Sequence, residues 1–331
     1  MSDEIQDSDT FLKFVLYSSI LAVFLYFIRR YLKGGQFTER VSAKNLIAVV
    51  TGANCGIGFE TVKELNLRKA KVYMLCRSEK NALAAKIQLA KRGCDSSRLN
   101  FIQCDFTSLD SVRNAARELL RVETHIDILV NNAAVLMTKF EVTEDGFEKT
   151  WQTNHLGPFL LTELLLPALK KSENGGRIVN VSALIHKKVK KLDYEKINEK
   201  KHFGDWKCYG ESKVANILHA RQLTRRLHKS GSPVTINSLH PGIVNTDLLR
   251  NTIFAKPVII SIARFLANIF LKTPLDGAQT VLHVALSKKL EGVSGKYFVD
   301  CKLAAESEFA SNDQASEDLY NYSIEKVSKF L

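Results

Sequence analysis

Seven short apolar runs punctuate this chain, and longer stretches with helical periodicity separate them. The runs are LIAVVTG (46–52), KVYMLCR (71–77), LNFIQCD (99–105), DILVNNA (127–133), RIVNVSA (177–183), VTINSLH (234–240) and KYFVD (296–300). Most are nearly unbroken series of β-branched and other apolar residues, as strands covered on both faces require. Strand and helix in alternation favour parallel pairing, because a helix carries the chain back to the start of the next strand. The rhythm predicts an α/β fold: a Rossmann-type, doubly wound parallel sheet in one domain over about 41–320. With 45% hydrophobic residues the 331-residue chain can bury a core of that size. Neither an internal repeat nor a Pro/Gly/Ser-rich linker interrupts it.

Ahead of this body lies FLKFVLYSSILAVFLYFI, residues 11–28, apolar but for Lys13 and two serines. About 20 helical residues cross a bilayer core. The start is acidic (Asp3, Glu4, Asp7, Asp9) and the run ends in Arg29, Arg30 and Lys33. A cleaved signal peptide has the opposite pattern, so the segment reads as an uncleaved anchor with the body on the cytosolic side. The expected layout is an acidic tail (1–10), a transmembrane anchor (11–30), a linker with a Gly34–Gly35 hinge (31–40), the body, and a C-terminal tail (321–331). The endoplasmic reticulum is the expected membrane. The formal charge of +12 comes with no nucleic-acid-binding signature. Its one dense cluster, HKKVKK (186–191), suits a solvated face or an anionic membrane surface. The six cysteines show no CxxC and no metal-ligand spacing, which implies free thiols in a reducing compartment and no metal site.

Two motifs carry chemistry. The first strand ends in TGANCGIG, and a helical segment follows directly. Gly52, Gly56 and Gly58 let the backbone turn tightly and approach a pyrophosphate, with Asn54, Cys55 and Ile57 in the same loop and the helix N-terminus favouring the anion. Further on, CYGESKVAN sets Tyr209 and Lys213 four residues apart, which stacks them on one helical face.

These pieces fall in a recognisable order. After the glycine turn come Asp105 closing the third strand, AsnAsnAlaAla at 131–134, Asn154, TyrGlyGluSerLys at 209–213, and HisProGlyIleValAsnThr at 240–246. The series resembles the short-chain dehydrogenase/reductase family over nearly all of the chain past residue 36. GGQFTER (34–40), TNHLGPFLL (153–161) and GAQT (277–280) are similar to its microsomal retinol dehydrogenase branch. The resemblance implies a nicotinamide cofactor and an oxidoreductase activity. Tyr209 would be the general acid or base, activated by the Lys213 ammonium, which also reaches the ribose, and Asn154 would hold a water in the proton relay. Asp105 and Phe106, with Asn132 and Ala133, would lie toward the adenosine, and Pro241, Gly242, Val244 and Thr246 toward the nicotinamide. Asp105 reads equally as a helix cap before ThrSerLeuAsp.

The second strand ends in CysArgSer, 76–78, without the carboxylate that would bond an adenosine ribose hydroxyl. Arg77 in its place suits a 2′-phosphate, so NADP(H) is expected over NAD(H), although a strand-end arginine is often simply solvated. IFAKPVIISIARFLANIFL (253–271), within an expected lid at about 247–272, is too broken to span a membrane. It reads as an apolar cover dipping toward the lipid, or as core packing. A hydrophobic small-molecule substrate, such as a retinoid, sterol or fatty aldehyde, follows. One departure counts against fast turnover. The branch places its catalytic serine second in AsnValSerSer, and this chain has AsnValSerAla at 180–183. Strand alternation turns Ser182 to the other face, leaving Ala183 at that place. The alternative reading is therefore a cofactor-binding protein with weak or no catalysis. Nothing in the sequence sets an oligomeric state.

Overall fold

The computed structural model describes residues 2–136, 139–244 and 271–331, with side chains from residue 11 onward. Thr246 and all but the last two residues of the expected lid fall outside them. Each apolar run becomes a strand: β1 (Ile47–Thr51), β2 (Lys71–Cys76), β3 (Leu99–Gln103), β4 (Ile128–Asn131), β5 (Arg177–Val181), β6 (Thr235–His240) and β7 (Tyr297–Val299). They lie parallel in the order β3-β2-β1-β4-β5-β6-β7. An antiparallel edge strand, β8 (Lys302–Leu303), follows; it has two exposed residues and no periodicity from which to foresee it.

The helices are α1 (Ser2–Lys33), α2 (Gly56–Leu67), α3 (Glu79–Lys91), α4 (Leu109–Val122), α5 (Lys149–Trp151), α6 (Gly157–Leu169), α7 (Asp205–Lys229), α8 (Pro274–Leu286) and α9 (Asp313–Val327). A π-helical turn, Gln152–Leu156, joins α5 to α6. Alternate strand residues feed two separate cores, as the two-residue period requires. Ile47 and Val49 of β1 join α4, α6 and α7 on one face, while Ala48 and Val50 join α2, α3 and α8 on the other. The sheet is doubly wound.

Within α1, Phe11–Lys33 is the one stretch among the described residues long and apolar enough to cross a membrane, and it is not buried against the body. The end of the expected anchor and the linker after it do not hang free. Arg29 Nη2 pairs with Asp276 Oδ2 at 2.9 Å, and Nη1 donates to the Leu271 carbonyl at 3.1 Å. Gly34 and Gly35 press on Asp300 so closely that a Cβ on Gly35 would overlap its carbonyl oxygen; the pair is a packing contact and not a hinge. Phe37 is buried beneath the Arg68 guanidinium, 5.1 Å away, and its N–H donates to Gln279 Oε1 at 3.1 Å. The expected C-terminal tail is likewise part of the body. Residues from 321 on complete α9 and a 3-10 turn, and they bury Ser323, Val327 and Phe330. An apolar stripe at helical spacing draws them in.

Candidate active site

β1 lies between β2 and β4, so the chain winds away from it in opposite directions and a crevice opens beyond its C-terminal end. The glycine turn lines this crevice. Gly52 has φ of +63°, a left-handed conformation that glycine adopts freely. Gly58 sits behind the turn, where a Cβ would overlap the Gly52 carbonyl oxygen and come within 2.7 Å of Asn132 Nδ2. Asn132 holds the turn closed by donating from Nδ2 to the Thr51 carbonyl at 2.9 Å. Thr51 Oγ1 accepts the N–H groups of Asn132 and Ala133, both at 2.9 Å. Sequence reading missed Thr51; its signal is a hydroxyl residue closing the first strand directly before the glycine. Ser78 caps α3 and Ser108 caps α4, whereas no side-chain hydrogen bond caps α2, whose first N–H groups face the crevice.

Arg77 follows β2, exposed at the rim of the crevice and without an ion-pair partner among the described residues. Asp105 Oδ1 accepts from the N–H and hydroxyl of Thr107 at 2.9 and 2.8 Å. That makes a local turn, and the helix cap is Ser108, so the cap reading of Asp105 does not hold.

On the opposite wall, α7 presents Tyr209 and Lys213, both buried. Lys213 Nζ lies 5.4 Å from the Tyr209 ring centroid and donates to the Val181 carbonyl at 3.0 Å. Asn216 Nδ2 shares that carbonyl at 3.3 Å. Burial lowers the Lys213 pKa from its ordinary 10.5 to about 7, because an ammonium loses hydration there with no carboxylate to replace it. Burial likewise raises Tyr209 above its ordinary value. The expected lowering of Tyr209 by the ammonium is therefore outweighed by desolvation. Asn154, in the π-helical turn, is fully buried. Its Oδ1 accepts the Val135 N–H at 2.8 Å, and its Nδ2 donates to the Val135 carbonyl at 3.0 Å and to Ser212 Oγ at 3.1 Å. An amide held in this way braces the segment after β4 against α7. The neighbouring Thr153 is the one that lines the crevice, and its Oγ1 is buried without a hydrogen-bond partner among the described residues.

One cavity of about 420 Å³ joins these walls. Every residue expected at the cofactor lines it except Gly58, which packs behind the turn, and Thr246, which lies outside the described residues. Comparison with known proteins agrees with this architecture. The model of the short chain dehydrogenase family matches residues 46–255. The chain belongs to the short-chain dehydrogenase family. It is 40% identical to retinol dehydrogenase 11 of Homo sapiens over 95% of this chain and 97% of that protein. It is 38% identical to short-chain dehydrogenase TIC 32 B, chloroplastic, of Brassica napus over 88% and 91%. A solved but uncharacterized protein of Mycobacterium paratuberculosis superposes with a TM-score of 0.70 at 27% identity, covering 89% of this chain and 98% of that one. Pseudomonas aeruginosa RhlG, in a complex with NADP, has the same fold at 22% identity (81% and 98% covered, TM-score 0.61).

For this dehydrogenase, the nicotinamide cofactor implied by the family fits the residues present. The glycine cradle has no room for side chains, α2 begins without a side-chain cap, and two buried polar atoms, Thr153 Oγ1 and His240 Nδ1, have no hydrogen-bond partner among the described residues. His240 closes β6 on the cavity wall, and burial, aided by the nearby Lys272, lowers its pKa to about 4, so it is neutral at pH 7. Ser182 Oγ donates to the Lys213 carbonyl at 2.7 Å, so its hydroxyl ties β5 to α7. Ala183, at the position where the sequence resemblance leads one to expect a serine, lines the cavity with a methyl group.

Proposed function

We propose that this dehydrogenase is a membrane-anchored, NADP(H)-dependent enzyme that interconverts a hydrophobic alcohol and its aldehyde or ketone, with a retinoid as the favoured substrate. The observation that carries the reading is the Tyr209–Lys213 pair on one wall of the cavity that the glycine turn lines from the other. The cofactor, when bound, would supply or accept the hydride. Tyr209 gives its proton to the carbonyl oxygen in reduction and takes it from the alcohol in oxidation. Lys213, poised near neutrality, favours the phenolate as it forms and offers an N–H to the cofactor ribose. Arg77 supports NADP(H), because a free guanidinium at the rim suits a 2′-phosphate and β2 ends without a carboxylate. The retinoid preference draws on the likeness to retinol dehydrogenases 11 and 12. The anchored, cytosol-facing placement, in the endoplasmic reticulum, draws on Phe11–Lys33 and its flanking charges.

Ala183 favours a second reading, a cofactor-binding protein with weak or no turnover. Full-length protein in detergent, given NADPH and all-trans-retinal, separates the two. The first reading expects slow formation of retinol that disappears in Tyr209→Phe while NADPH binding persists. If neither the native protein nor Ala183→Ser reduces any carbonyl although both bind NADPH, the second reading stands.

A further inference from the structure

The C-terminal edge of the sheet carries features that neither the cofactor cavity nor the Tyr209–Lys213 pair uses. After β5 the chain turns through a 3-10 segment, Leu184–Lys188, and passes Val189, Lys190 and Lys191 on its way to α7. The connection from β5 to the parallel strand β6 runs through α7, so the first turn of that helix lies at the same edge. Here Trp206 is 52% exposed and Leu184 50% exposed, a large apolar area to leave in water. Ile185, Val189 and Gly210 help line a groove of about 600 Å³ with Trp206, and Lys188, Lys190 and Lys191 rim it. Among the described residues, none of Lys187, Lys188, Lys190 and Lys191 has an ion-pair partner. Lys207, by contrast, is engaged with His202, which in turn meets Glu211 at 3.0 Å. Protein–protein interfaces are depleted in lysine, whereas tryptophan beside lysines is the composition of a membrane–water boundary.

The anchor meets the body at this same edge. Arg29 marks the end of the apolar run and pairs with Asp276 in the first turn of α8. Gly34 packs on Asp300, just past β7, which also pairs with Lys272. Ile243 and Leu275, both exposed, follow β6 and begin α8. The basic end of α1, Arg29 to Lys33, spans about 6 Å of helix, so the contact with Asp276 holds this edge close to headgroup level.

We propose that this edge is a second membrane contact, at which Trp206 and Leu184 enter the headgroup–acyl boundary and Lys187, Lys188, Lys190 and Lys191 meet anionic phospholipid headgroups. The inference rests on the anchored reading of Phe11–Lys33. Each lysine near an anionic surface raises partition about fivefold. The anchor makes docking intramolecular, so a patch too weak to recruit a soluble protein still engages. Lysine stems lie along the apolar strip while their charges reach the headgroups. Trp206 precedes Tyr209 by three residues and shares its helix face. An apolar substrate would therefore leave the bilayer beside the catalytic tyrosine without crossing water.

Trp151 and Trp206 are the two tryptophans, and Trp151 is 1% exposed, so a lipid-borne quencher reports on Trp206. Full-length protein is placed in phosphatidylcholine–phosphatidylserine nanodiscs whose acyl chains are brominated near the headgroup. Emission should be quenched, and the quenching should vanish in Trp206→Phe. It should fall about tenfold or more when Lys188, Lys190 and Lys191 are all changed to Glu, with retained NADPH binding showing that the variant is folded; Lys→Gln replacements serve if it is not. An unquenched Trp206 in protein that resists carbonate extraction overturns the docking and leaves the anchor standing. Quenching that is equal in pure phosphatidylcholine, or unchanged by the lysine replacements, overturns the recognition of anionic headgroups. Should carbonate remove the protein, the anchor reading fails. Salt-sensitive sedimentation with anionic vesicles, lost in the lysine variant, would then still support the docking, and no sedimentation would overturn it.

Discussion

Replacing Lys213 with Met should abolish turnover and yet stabilise the cofactor-free protein. The side chain is 2% exposed, and burial lowers its pKa from 10.5 to about 7. A lysine whose folded pKa lies below its unfolded value binds fewer protons folded than unfolded. Its penalty on the folded state is therefore full below about pH 7 and fades as the pH rises toward 10.5. At pH 7 that depression corresponds to at most about 4 kcal/mol of destabilisation. Two effects reduce what Met recovers. The Val181 carbonyl loses its 3.0 Å bond from Nζ, about 1 kcal/mol net, although Asn216 Nδ2 stays at 3.3 Å. Water in the adjoining cavity also softens the cost of the ammonium, because Lys213 lines it. A net gain of about 1–2 kcal/mol is expected, roughly 2–3 °C in Tm for a body of this size. Thermal unfolding in detergent without cofactor measures it, at about pH 7 and again at about pH 9.5, where the gain should shrink by more than half. A lower Tm for Lys213→Met at pH 7, or a gain independent of pH, would refute the claim that this lysine is held at a cost.

Ala183→Ser restores a donor to the developing oxyanion and should raise kcat at least about tenfold with little change in cofactor Kd; an unchanged kcat would mean another group already does this. Arg77→Ala should lower the preference for NADPH over NADH by about one to two decades in titrations of both cofactors, and equal losses would make Arg77 structural. Gly58→Ala drives a methyl into the Gly52 carbonyl, so α2 must shift. About 1–3 kcal/mol of stability and a large part of the cofactor affinity should be lost, read by Tm and fluorescence titration.

How legible the molecule was in its sequence depends on how local each feature is. All seven parallel strands appeared within a residue or two of their place, because a two-sided buried strand writes a continuous apolar run. The Tyr209–Lys213 pair was legible for the same reason, since four residues of helix place both on one face. The bonds that Asn154 makes were not legible. Its partner Val135 is 19 residues away and Ser212 is 58, and no local pattern announces those bonds. The lowered pKa of Tyr209 was inferred from a neighbouring charge, while the depth of burial that raises it belongs to the packed fold.

The sequence alone determined the alternation of strand and helix, the glycine turn after β1, the apolar run at 11–28, and the absence of both the carboxylate after β2 and the hydroxyl at Ala183. Each is a matter of residue type or spacing within a few positions, where backbone geometry leaves little choice. Only the tertiary structure decided what those residues experience. It buried Lys213 and Tyr209 together, spent Ser182 on the Lys213 carbonyl, bound Asn154 to Val135, and seated Gly35 on Asp300. It also brought Arg29 to Asp276, 247 residues away in the chain. Desolvation and long-range hydrogen bonds arise only when distant segments exclude water between them, and that is set by the packing of the whole sheet and its helices.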